Sequence, residues 1–305
     1  MPMAVTSCSD LLTAARRSGY AVGAFSVHTP EMVEAVLAAA ESRQASVILQ
    51  VGQRAIRQSG LREVCAWVLE RATRSTVPVV LHLDHSRDPD QIADAVRAGC
   101  TSVMFDGSHL PFTENVAATA AVVRTCHAAG IPVEGELGRI AGAEDGVAVA
   151  AAQSHLAEPS EAVRFAEATG VDSLAPAVGS VHGLPPDGAP PPVLDMARLE
   201  AIAQAVRIPL VLHGGSGLPV ATLRAAISTG VAKVNVDTEL RRGLVRALQD
   251  ALADEAARDD PYAVMARARH MLTEMIGRRI DDFGTSGRAG APPAPSPAAP
   301  ARFGT

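Results

Sequence analysis

Aromatic residues are scarce in this chain: they make up 3% of it, with one Trp. A surface that stacks nucleic-acid bases needs more of them. The formal net charge is −6, and acidic and basic residues are mixed along the sequence. That mixture argues against binding to nucleic acid or to an anionic membrane surface. We therefore expect no nucleic-acid partner and no membrane partner.

Paired cysteine motifs are also missing. Cys8, Cys65, Cys100 and Cys126 are scattered without CxxC spacing, so the sequence indicates neither a disulfide framework nor a thiolate zinc site. The N-terminal segment has no long apolar core, and no apolar run is long enough to span a bilayer. We expect no signal peptide and a reducing, cytoplasmic location.

What the sequence does contain is a regular alternation of two patterns over 305 residues, 48% of them hydrophobic. Short apolar, β-branched runs alternate with Ala-rich segments such as PDQIADAVRAG, which begin near Pro or an acidic residue and often end at Gly. The alternation predicts an α/β protein, a (β/α)8 TIM barrel, with a doubly wound open sheet as the alternative. The predicted strands are 21–27, 46–51, 77–85, 102–107, 131–137, 173–178, 208–215 and 233–238.

The predicted barrel forms a single domain over residues 1–288. Residues 289–305 are rich in Pro and Ala, a composition typical of a disordered tail.

Polar residues collect at the carboxyl ends of the predicted strands, where barrels carry their sites. The segment LHLDHS ends in Asp84 and His85 followed by a serine, and two later strands lead to His182 and His213. Three imidazoles with an open fourth position are what a catalytic zinc requires. Such a metal acts as a Lewis acid, and Asp84 beside a ligand is placed to move protons.

Most other histidines are expected to be packing or surface residues, and His82 a hydrogen-bond partner of Asp84. The packing or surface group is His28, His127, His155 and His270.

Three acidic residues follow on neighbouring strands: Asp106, Glu134 and Glu136. They could orient the ligand histidines, hold a second metal, or form structural salt bridges. The sequence alone leaves these alternatives open.

A glycine-rich turn after the seventh strand precedes a helical pattern, which suggests a phosphate site in the loops after strands seven and eight. The alternative is a simple turn. Lysines are very few, and we expect Lys233 to point away from Asn235 and Asp237.

With these residues in place, the sequence resembles the class II, zinc-dependent ketose-bisphosphate aldolases, which include fructose- and tagatose-bisphosphate aldolases. The resemblance runs from about Leu11 to Ala289. The segments that carry it are YAVGAFSVH, LHLDHS, TSVMFDGSHLPFTENV, VEGELGRIAGAEDGV, LAPAVGSVHG, LVLHGGSGLP, KVNVDTELR and IDDFGTSGRA.

The resemblance implies reversible aldol cleavage of a ketose bisphosphate, such as fructose 1,6-bisphosphate, to dihydroxyacetone phosphate and glyceraldehyde 3-phosphate through a zinc-stabilised enediolate. It implies one catalytic Zn²⁺, with room for a second divalent ion and a monovalent cation. It also implies carbohydrate metabolism, glycolysis included, and a homodimer or homotetramer.

The same resemblance assigns roles to individual residues. His85, His182 and His213 would bind zinc, and Asp106 and Glu136 would form an alternative or second metal site. Asp84 and Glu144 would be catalytic: Asp84 would exchange a proton at the aldehyde oxygen and Glu144, in a mobile loop, at the nucleophilic carbon. The residues implied to hold dihydroxyacetone phosphate are Gly183, Gly214, Gly215, Ser216, Asn235, Val236, Asp237 and Thr238.

The chain departs from the family pattern where the aldehyde would bind. Ser26 stands where the family usually has Asn, Gly52 where many members have Ser, and Leu184-Pro185-Pro186 where relatives often carry an aromatic residue and a lysine. A tagatose-bisphosphate or specialised aldolase with another aldehyde is therefore an alternative. Arg278 and Arg279 are candidates for a distal phosphate contact, although a solvated basic helix end explains them more simply.

Two further function classes compete with the aldolase. A zinc hydrolase would use the same metal with bound water and no dihydroxyacetone-phosphate pocket. A non-catalytic barrel that binds sugar phosphate would have no need of Asp84 and the three histidines together.

Overall fold

A computed structural model describes residues 6–144, 147–186 and 188–290. Eight of its strands form the barrel: β1 (Val22–Ser26), β2 (Val47–Val51), β3 (Val79–Ser86), β4 (Ser102–Phe105), β5 (Val133–Leu137), β8 (Ser173–Pro176), β10 (Leu210–Leu212) and β11 (Val231–Val236). These parallel strands close in the order β1-β11-β10-β8-β5-β4-β3-β2. The barrel confirms the predicted α/β class and the (β/α)8 TIM-barrel fold, and excludes the open-sheet alternative.

Helices follow the barrel strands as the patterns predict. Three of them begin with a proline preceded by a side chain that accepts a hydrogen bond from the first turn: Thr29, Asp88 and Asp260. Such caps satisfy backbone N–H groups that would otherwise have no partner. The helices are α1 (Cys8–Ser18), α2 (Pro30–Ser42), α3 (Gln53–Ser59), α4 (Leu61–Ala72), α5 (Pro89–Arg97), α6 (Phe112–Ala128), α7 (Pro159–Thr169), α8 (Met196–Ala205), α9 (Val220–Thr229), α10 (Thr238–Ala253) and α11 (Pro261–Asp282), with 3-10 turns at Ala151–Gln153 and Gly215–Gly217.

A second, three-stranded sheet was not predicted. It contains β6 (Ala141–Glu144), β7 (Val147–Val149) and β9 (Val181–His182), with β6 in the centre. The segment AGAEDGV, expected as a loop, thus contributes strand residues on both sides of 145–146. These strands are only two to four residues long, too short for a periodic pattern to identify them from the sequence.

The packed chain reaches the edge of the predicted tail. Ala289 is buried, and its backbone N–H donates to the carbonyl of Gln44. The rest of the Pro/Ala-rich segment, 291–305, lies outside the described residues. Among the residues that are described, no helix is long and apolar enough to cross a bilayer.

Two apolar clusters hold the fold together. The larger lies between the strands and the surrounding helices. The smaller joins Cys8, Leu12 and Ala15 of α1 to residues such as Val22 and Val80 of the strands. Burial of apolar surface is the main favourable contribution to folding, and α1 provides it by covering one end of the barrel.

The centre of the barrel is polar. Lys233 on β11 contacts Glu134 on β5 and His82 on β3, with distances of 2.7 Å and 3.3 Å from its Nζ. Because two strands separate β11 from each of these strands around the ring, the contacts must cross the interior. The expectation that Lys233 points away from Asn235 is therefore wrong: residues two apart on a strand share a face.

Candidate active site

Strand β3 brings two adjacent residues, Asp84 and His85, to the same mouth of the barrel. Consecutive side chains of a regular strand point to opposite faces. Here the regular alternation is interrupted: His85 has a φ of 46°, and the pairing with β4 shifts register between Leu83 and Ser86. A left-handed backbone costs a non-glycine residue about 1–2 kcal/mol, so the fold maintains a strained backbone conformation at His85, next to Asp84.

The three predicted ligand histidines meet at this mouth. One ring nitrogen from each of His85, His182 and His213 lies within 4.8 Å of the other two. Nδ1 of His213 is 3.0 Å from Nε2 of His85. Nitrogen donors this close can converge on one ion with the Zn–N distances of about 2.0–2.1 Å that zinc requires.

Two glycines allow the short strand β9 to carry His182 into this cluster. A Cβ on Gly142 would lie 2.2 Å from the carbonyl oxygen of His182, and one on Gly214 would lie 2.4 Å from that of Val181. Both glycines have positive φ values, 107° and 69°. The position of His182 thus depends on close backbone approach from both sides, in addition to any contact that Gly214 makes with substrate.

Glu136 faces the histidines directly. Its Oε2 lies 3.8 Å from Nδ1 of His85 and 4.0 Å from Nδ1 of His213. Burial and the neighbouring charge of Asp106 raise the pKa of Glu136 to about 8. The group is thus placed to add a carboxylate to a metal cluster once the ion favours its charged form.

Asp106 has protein partners of its own. Arg87 donates to its Oδ2 at 2.7 Å and 2.8 Å, and Ser108 donates to its Oδ1 through both Oγ and N–H. Burial opposes the charged carboxylate, but the hydrogen bond and charge of His85 and the charge of Arg87 hold the pKa of Asp106 well below its usual range. The salt-bridge alternative therefore describes Asp106 in this structure.

Glu134 contacts a predicted ligand histidine, and orienting such a histidine is another of the alternatives raised for the acidic residues. Its Oε1 is 2.9 Å from Nε2 of His213, and its Oε2 accepts from Lys233. Burial would raise the pKa of Glu134, but the charge of Lys233 and the His213 hydrogen bond hold it well below its usual range. An ionised Glu134 thus orients His213. His82 is hydrogen-bonded, as expected, but to Ser102 at 2.8 Å; its Nε2 stays 3.9 Å from Asp84.

The predicted phosphate residues lie together beside the histidines. Ser216 accepts a hydrogen bond from the backbone N–H of Glu239 in the first turn of α10, at 3.3 Å. Gly183 and Pro185 approach Gly217, so the Pro-rich loop covers the glycine turn. Asn235 is buried, and among the described residues neither polar atom of its side chain has a hydrogen-bond partner.

A buried amide without partners costs about 1–3 kcal/mol for each group left unsatisfied. Asn235 therefore offers a donor and an acceptor that a bound molecule can use.

Asp237 is engaged by protein groups. Nε2 of His28 lies 2.7 Å from Oδ1 of Asp237, and Nε of Arg241 is 2.9 Å from its Oδ2. His28, assigned to the packing or surface class, is half-buried and supports a residue of the predicted substrate site. Val236 ends β11 and Thr238 begins α10. Glu144 ends β6, and its side chain lies outside the described part of the structure.

A cavity of about 210 Å³ opens beside His85 and His182. Arg57, Arg87 and Arg139 are among its lining residues. Sequence reasoning did not single out these arginines, although Arg87 follows His85 by two positions. The earlier candidate Arg279 instead forms an ion pair with Glu239 at 2.7 Å.

Comparisons with known proteins agree with this geometry. Residues 6–288 match the family model described as class-II fructose-bisphosphate aldolase. The chain belongs to this aldolase family. Its solved structural relatives include the YdjI aldolase from Escherichia coli K12, with 30% identity, a TM-score of 0.81, and 93% of this chain and 99% of that one covered.

A structure from Coccidioides immitis, assigned by name to the fructose-1,6-bisphosphate aldolases, shares 32% identity with a TM-score of 0.82, over 92% of this chain and 97% of that one. A fructose-bisphosphate aldolase from Campylobacter jejuni, 21% identical with a TM-score of 0.78 over 94% and 97%, shows the same fold. The family and its structural neighbours support an aldolase, a carbon–carbon lyase.

Class II aldolases are typically metal-dependent, and the residues of this family member fit a metal. Three imidazole nitrogens converge, and a buried carboxylate faces two of the rings. Nitrogen and oxygen donors of this kind suit zinc and other divalent first-row ions.

Proposed function

We propose that this protein is a metal-dependent ketose-bisphosphate aldolase that cleaves a substrate such as fructose 1,6-bisphosphate into dihydroxyacetone phosphate and an aldehyde. The observation that carries the proposal is the convergence of His85, His182 and His213 beside the unpartnered amide of Asn235. A metal-binding cluster and a polar site for a second group lie at one mouth. A zinc hydrolase would not need the second polar site, and a non-catalytic sugar-phosphate-binding barrel would not need the histidine cluster.

The three histidines would hold Zn²⁺, with Glu136 as the residue of an alternative or second position. A divalent metal held there supplies a Lewis acid for the ketose carbonyl and hydroxyl oxygens. Asp84, buried next to His85, would hold the proton exchanged at the aldehyde oxygen. We retain Glu144 as the group for the proton at the nucleophilic carbon.

The dihydroxyacetone-phosphate half would be held by the glycine turn and the start of α10. Gly183, Gly214, Gly215 and Ser216 would offer backbone N–H groups, which bind phosphate well near a helix N-terminus. Asn235 would orient the ketose hydroxyl, and Val236, Asp237 and Thr238 would line the rest of the dihydroxyacetone-phosphate pocket.

The cavity arginines support an anionic group at the other end of the substrate. Arg57, Arg87 and Arg139 line the space beyond His85, and guanidinium groups bind phosphate or carboxylate well. Glyceraldehyde 3-phosphate fits this description. A tagatose configuration or another acidic aldehyde fits it equally, because Gly52 and the Leu184–Pro186 segment depart from the usual pattern on this side.

Solvent-proton exchange into dihydroxyacetone phosphate tests the reaction without a choice of aldehyde. We expect zinc-loaded protein to exchange the proton and chelator-treated protein to lose exchange, with Asn235→Ala as a control that weakens it. No exchange by folded, zinc-loaded protein would overturn the dihydroxyacetone-phosphate assignment. If exchange occurs, a screen of phosphorylated and carboxylated aldehydes identifies the partner.

We also propose a homodimer or homotetramer with a cytoplasmic role in carbohydrate metabolism. Val245 and Leu252 support self-association: they are 56% and 52% exposed and lie seven residues apart on one face of α10. Light scattering during size-exclusion chromatography measures the mass directly. Val245→Glu with Leu252→Glu should lower it if this face is buried between subunits, and a monomeric wild-type protein would refute the proposal.

A further inference from the structure

The chain contains a single lysine, and that lysine is buried in the centre of the barrel. Lys233 is 0% exposed, while 26 arginines supply the other basic side chains. Burying an ammonium group is costly unless it is paired and hydrogen-bonded. A role at this one position would explain why a chain that otherwise uses arginine has a lysine here.

Lys233 is the centre of a chain of contacts that ends at a ligand histidine. Its Nζ is 2.7 Å from Oε2 of Glu134, whose Oε1 is 2.9 Å from Nε2 of His213. On the other side Nζ is 3.3 Å from Nε2 of His82, whose Nδ1 is 2.8 Å from Oγ of Ser102. All five side chains are buried.

Donor and acceptor rules fix the direction of these hydrogen bonds. An ammonium group only donates and an ionised carboxylate only accepts. Nε2 of His213 must therefore carry the hydrogen that Glu134 accepts. The lone pair of His213 then lies on Nδ1, the atom that faces His85. By the same rule Nε2 of His82 accepts from Lys233, and Nδ1 of His82 donates to Ser102.

We propose that Lys233 is a positioning residue that acts through Glu134 to hold His213 in the tautomer and orientation required for metal binding. The inference rests on the metal site of the proposed function. Lys233 holds one oxygen of Glu134, which leaves the other aligned with His213. Its compact ammonium reaches Glu134 and His82 together, whereas the planar guanidinium of arginine distributes its donors over a wider fork.

This assignment also explains why Lys233 takes no part in covalent chemistry. Its amine is buried and held by Glu134, so substrate in the mouth is separated from it by that pair. Borohydride added with dihydroxyacetone phosphate should therefore leave the mass of the protein unchanged.

Metal affinity of the apoprotein tests the proposal without any assay of activity. Zn²⁺ alone is titrated against a chromophoric chelator for wild type, Lys233→Met, Glu134→Gln and the double variant. Changing residues that orient a ligand histidine typically weakens metal binding about 10–100-fold, and we expect this for each single variant. Lys233→Met leaves Glu134 without its cation, and Glu134→Gln presents an amide N–H₂ to the ammonium.

The double variant is expected to recover much of the affinity. The amide oxygen introduced by Glu134→Gln can accept from His213, and the amide nitrogen can donate toward Nε2 of His82, because Lys233 no longer competes. Arg71→Met is the matched control: it removes a largely buried cation 2.8 Å from Glu41, on helices α4 and α2 away from the mouth. It should lower stability and leave Zn²⁺ affinity unchanged.

The outcomes separate this inference from the function on which it rests. A wild-type protein that binds no Zn²⁺ overturns the metal site itself. Wild type that binds Zn²⁺ while Lys233→Met and Glu134→Gln bind equally well overturns the positioning role alone. Losses that simply add in the double variant also overturn it, because coupled residues must be non-additive.

A measurement on wild type covers the case in which a single variant fails to fold. Since the chain has one lysine, protein labelled with ¹³C,¹⁵N-lysine gives one side-chain spin system in an NMR spectrum. Titration with diamagnetic Zn²⁺ should shift these signals as His213 binds the ion and its hydrogen bond to Glu134 changes. Zn²⁺ binding that leaves the lysine signals unmoved would refute the proposed connection.

Discussion

His85 combines a predicted metal ligand with a left-handed backbone, φ 46°. Glycine adopts this region without a Cβ penalty, so we expect His85→Gly to be more stable than His85→Ala by about 1 kcal/mol, within the cost of a left-handed residue. Both variants lack the imidazole, so the difference isolates the backbone. Urea denaturation of the metal-free proteins measures it.

Ser86 provides the control for this comparison, because it has no positive φ. There the alanine variant should equal or exceed the glycine variant in stability. Equal stabilities of His85→Gly and His85→Ala would contradict the inferred backbone strain at position 85.

Glu136 predicts a pH dependence of stability. Its pKa is raised to about 8, mainly by burial and Asp106, so the folded protein retains a proton that the unfolded chain releases above its ordinary pKa. The stabilisation is complete below that ordinary value and is lost as pH rises toward about 8. Glu136→Gln mimics the protonated form, so its free energy of unfolding should not show this decrease with pH.

Free energies of unfolding of metal-free wild type and Glu136→Gln at pH 5.5 and 8 check the sign. The advantage of the variant should grow by at least about 1 kcal/mol, since one pKa unit corresponds to about 1.4 kcal/mol. A difference between the two proteins that stays constant with pH would contradict the raised pKa.

Asp84 tests the proton-transfer assignment. Asp84→Asn keeps the size of the side chain and removes its acid, so kcat should fall about 10²–10⁴-fold, the usual contribution of general acid–base catalysis. The three histidines are untouched, so Zn²⁺ affinity should change little. A variant that loses zinc as well as activity would indicate a structural role instead.

At the scale of elements, the barrel strands could be predicted from the sequence, whereas the small sheet that carries His182 could not. Alternation of apolar runs with helical patterns identified all eight barrel strands, because these strands are buried and most are largely apolar. The strand β5, with the sequence VEGEL, is the polar exception. The sheet of β6, β7 and β9 was not predicted because it depends on the close approach of two backbones at Gly142. A hydrophobic pattern contains no information about such an approach. The prediction that Lys233 points away from Asn235 was wrong, although the alternation of side chains along β11 already places residues 233 and 235 on the same face.

The short strand β9 gives the element-scale prediction. Gly142→Ala places a Cβ 2.2 Å from the carbonyl oxygen of His182, so β6 and β9 must move apart. We expect this movement to carry the imidazole of His182 away from His85 and His213. We expect Zn²⁺ affinity to fall at least about tenfold, as for other losses of ligand orientation. Chelator competition measures it.

Gly188→Ala is the matched control for this change. Gly188 also has a positive φ, 83°, but a Cβ there would meet nothing within 4 Å. It should cost backbone strain and leave the affinity for zinc intact. Equal effects of the two substitutions would show that strain, and not displacement of His182, is responsible.

At the scale of the whole molecule, the three predicted ligand histidines connect distant parts of the chain. His85 lies near the end of β3, His182 belongs to the small outer sheet, and His213 follows β10. A metal that binds only the folded arrangement adds RT ln(1 + [L]/Kd) to stability, about 4 kcal/mol at 1,000 times Kd. For a chain of this size we expect zinc to raise Tm by several degrees.

Calorimetry of chelator-treated protein with and without Zn²⁺ measures this linkage, with His213→Ala as the comparison. The variant keeps two of the three histidines, so weak zinc binding to unfolded chain or to surface groups persists in it, and only the stabilisation that needs the assembled mouth disappears. The rise in Tm should therefore be large in wild type and nearly absent in His213→Ala. An equal rise in both would place the ion elsewhere, and the convergence of His85, His182 and His213 would then need another explanation.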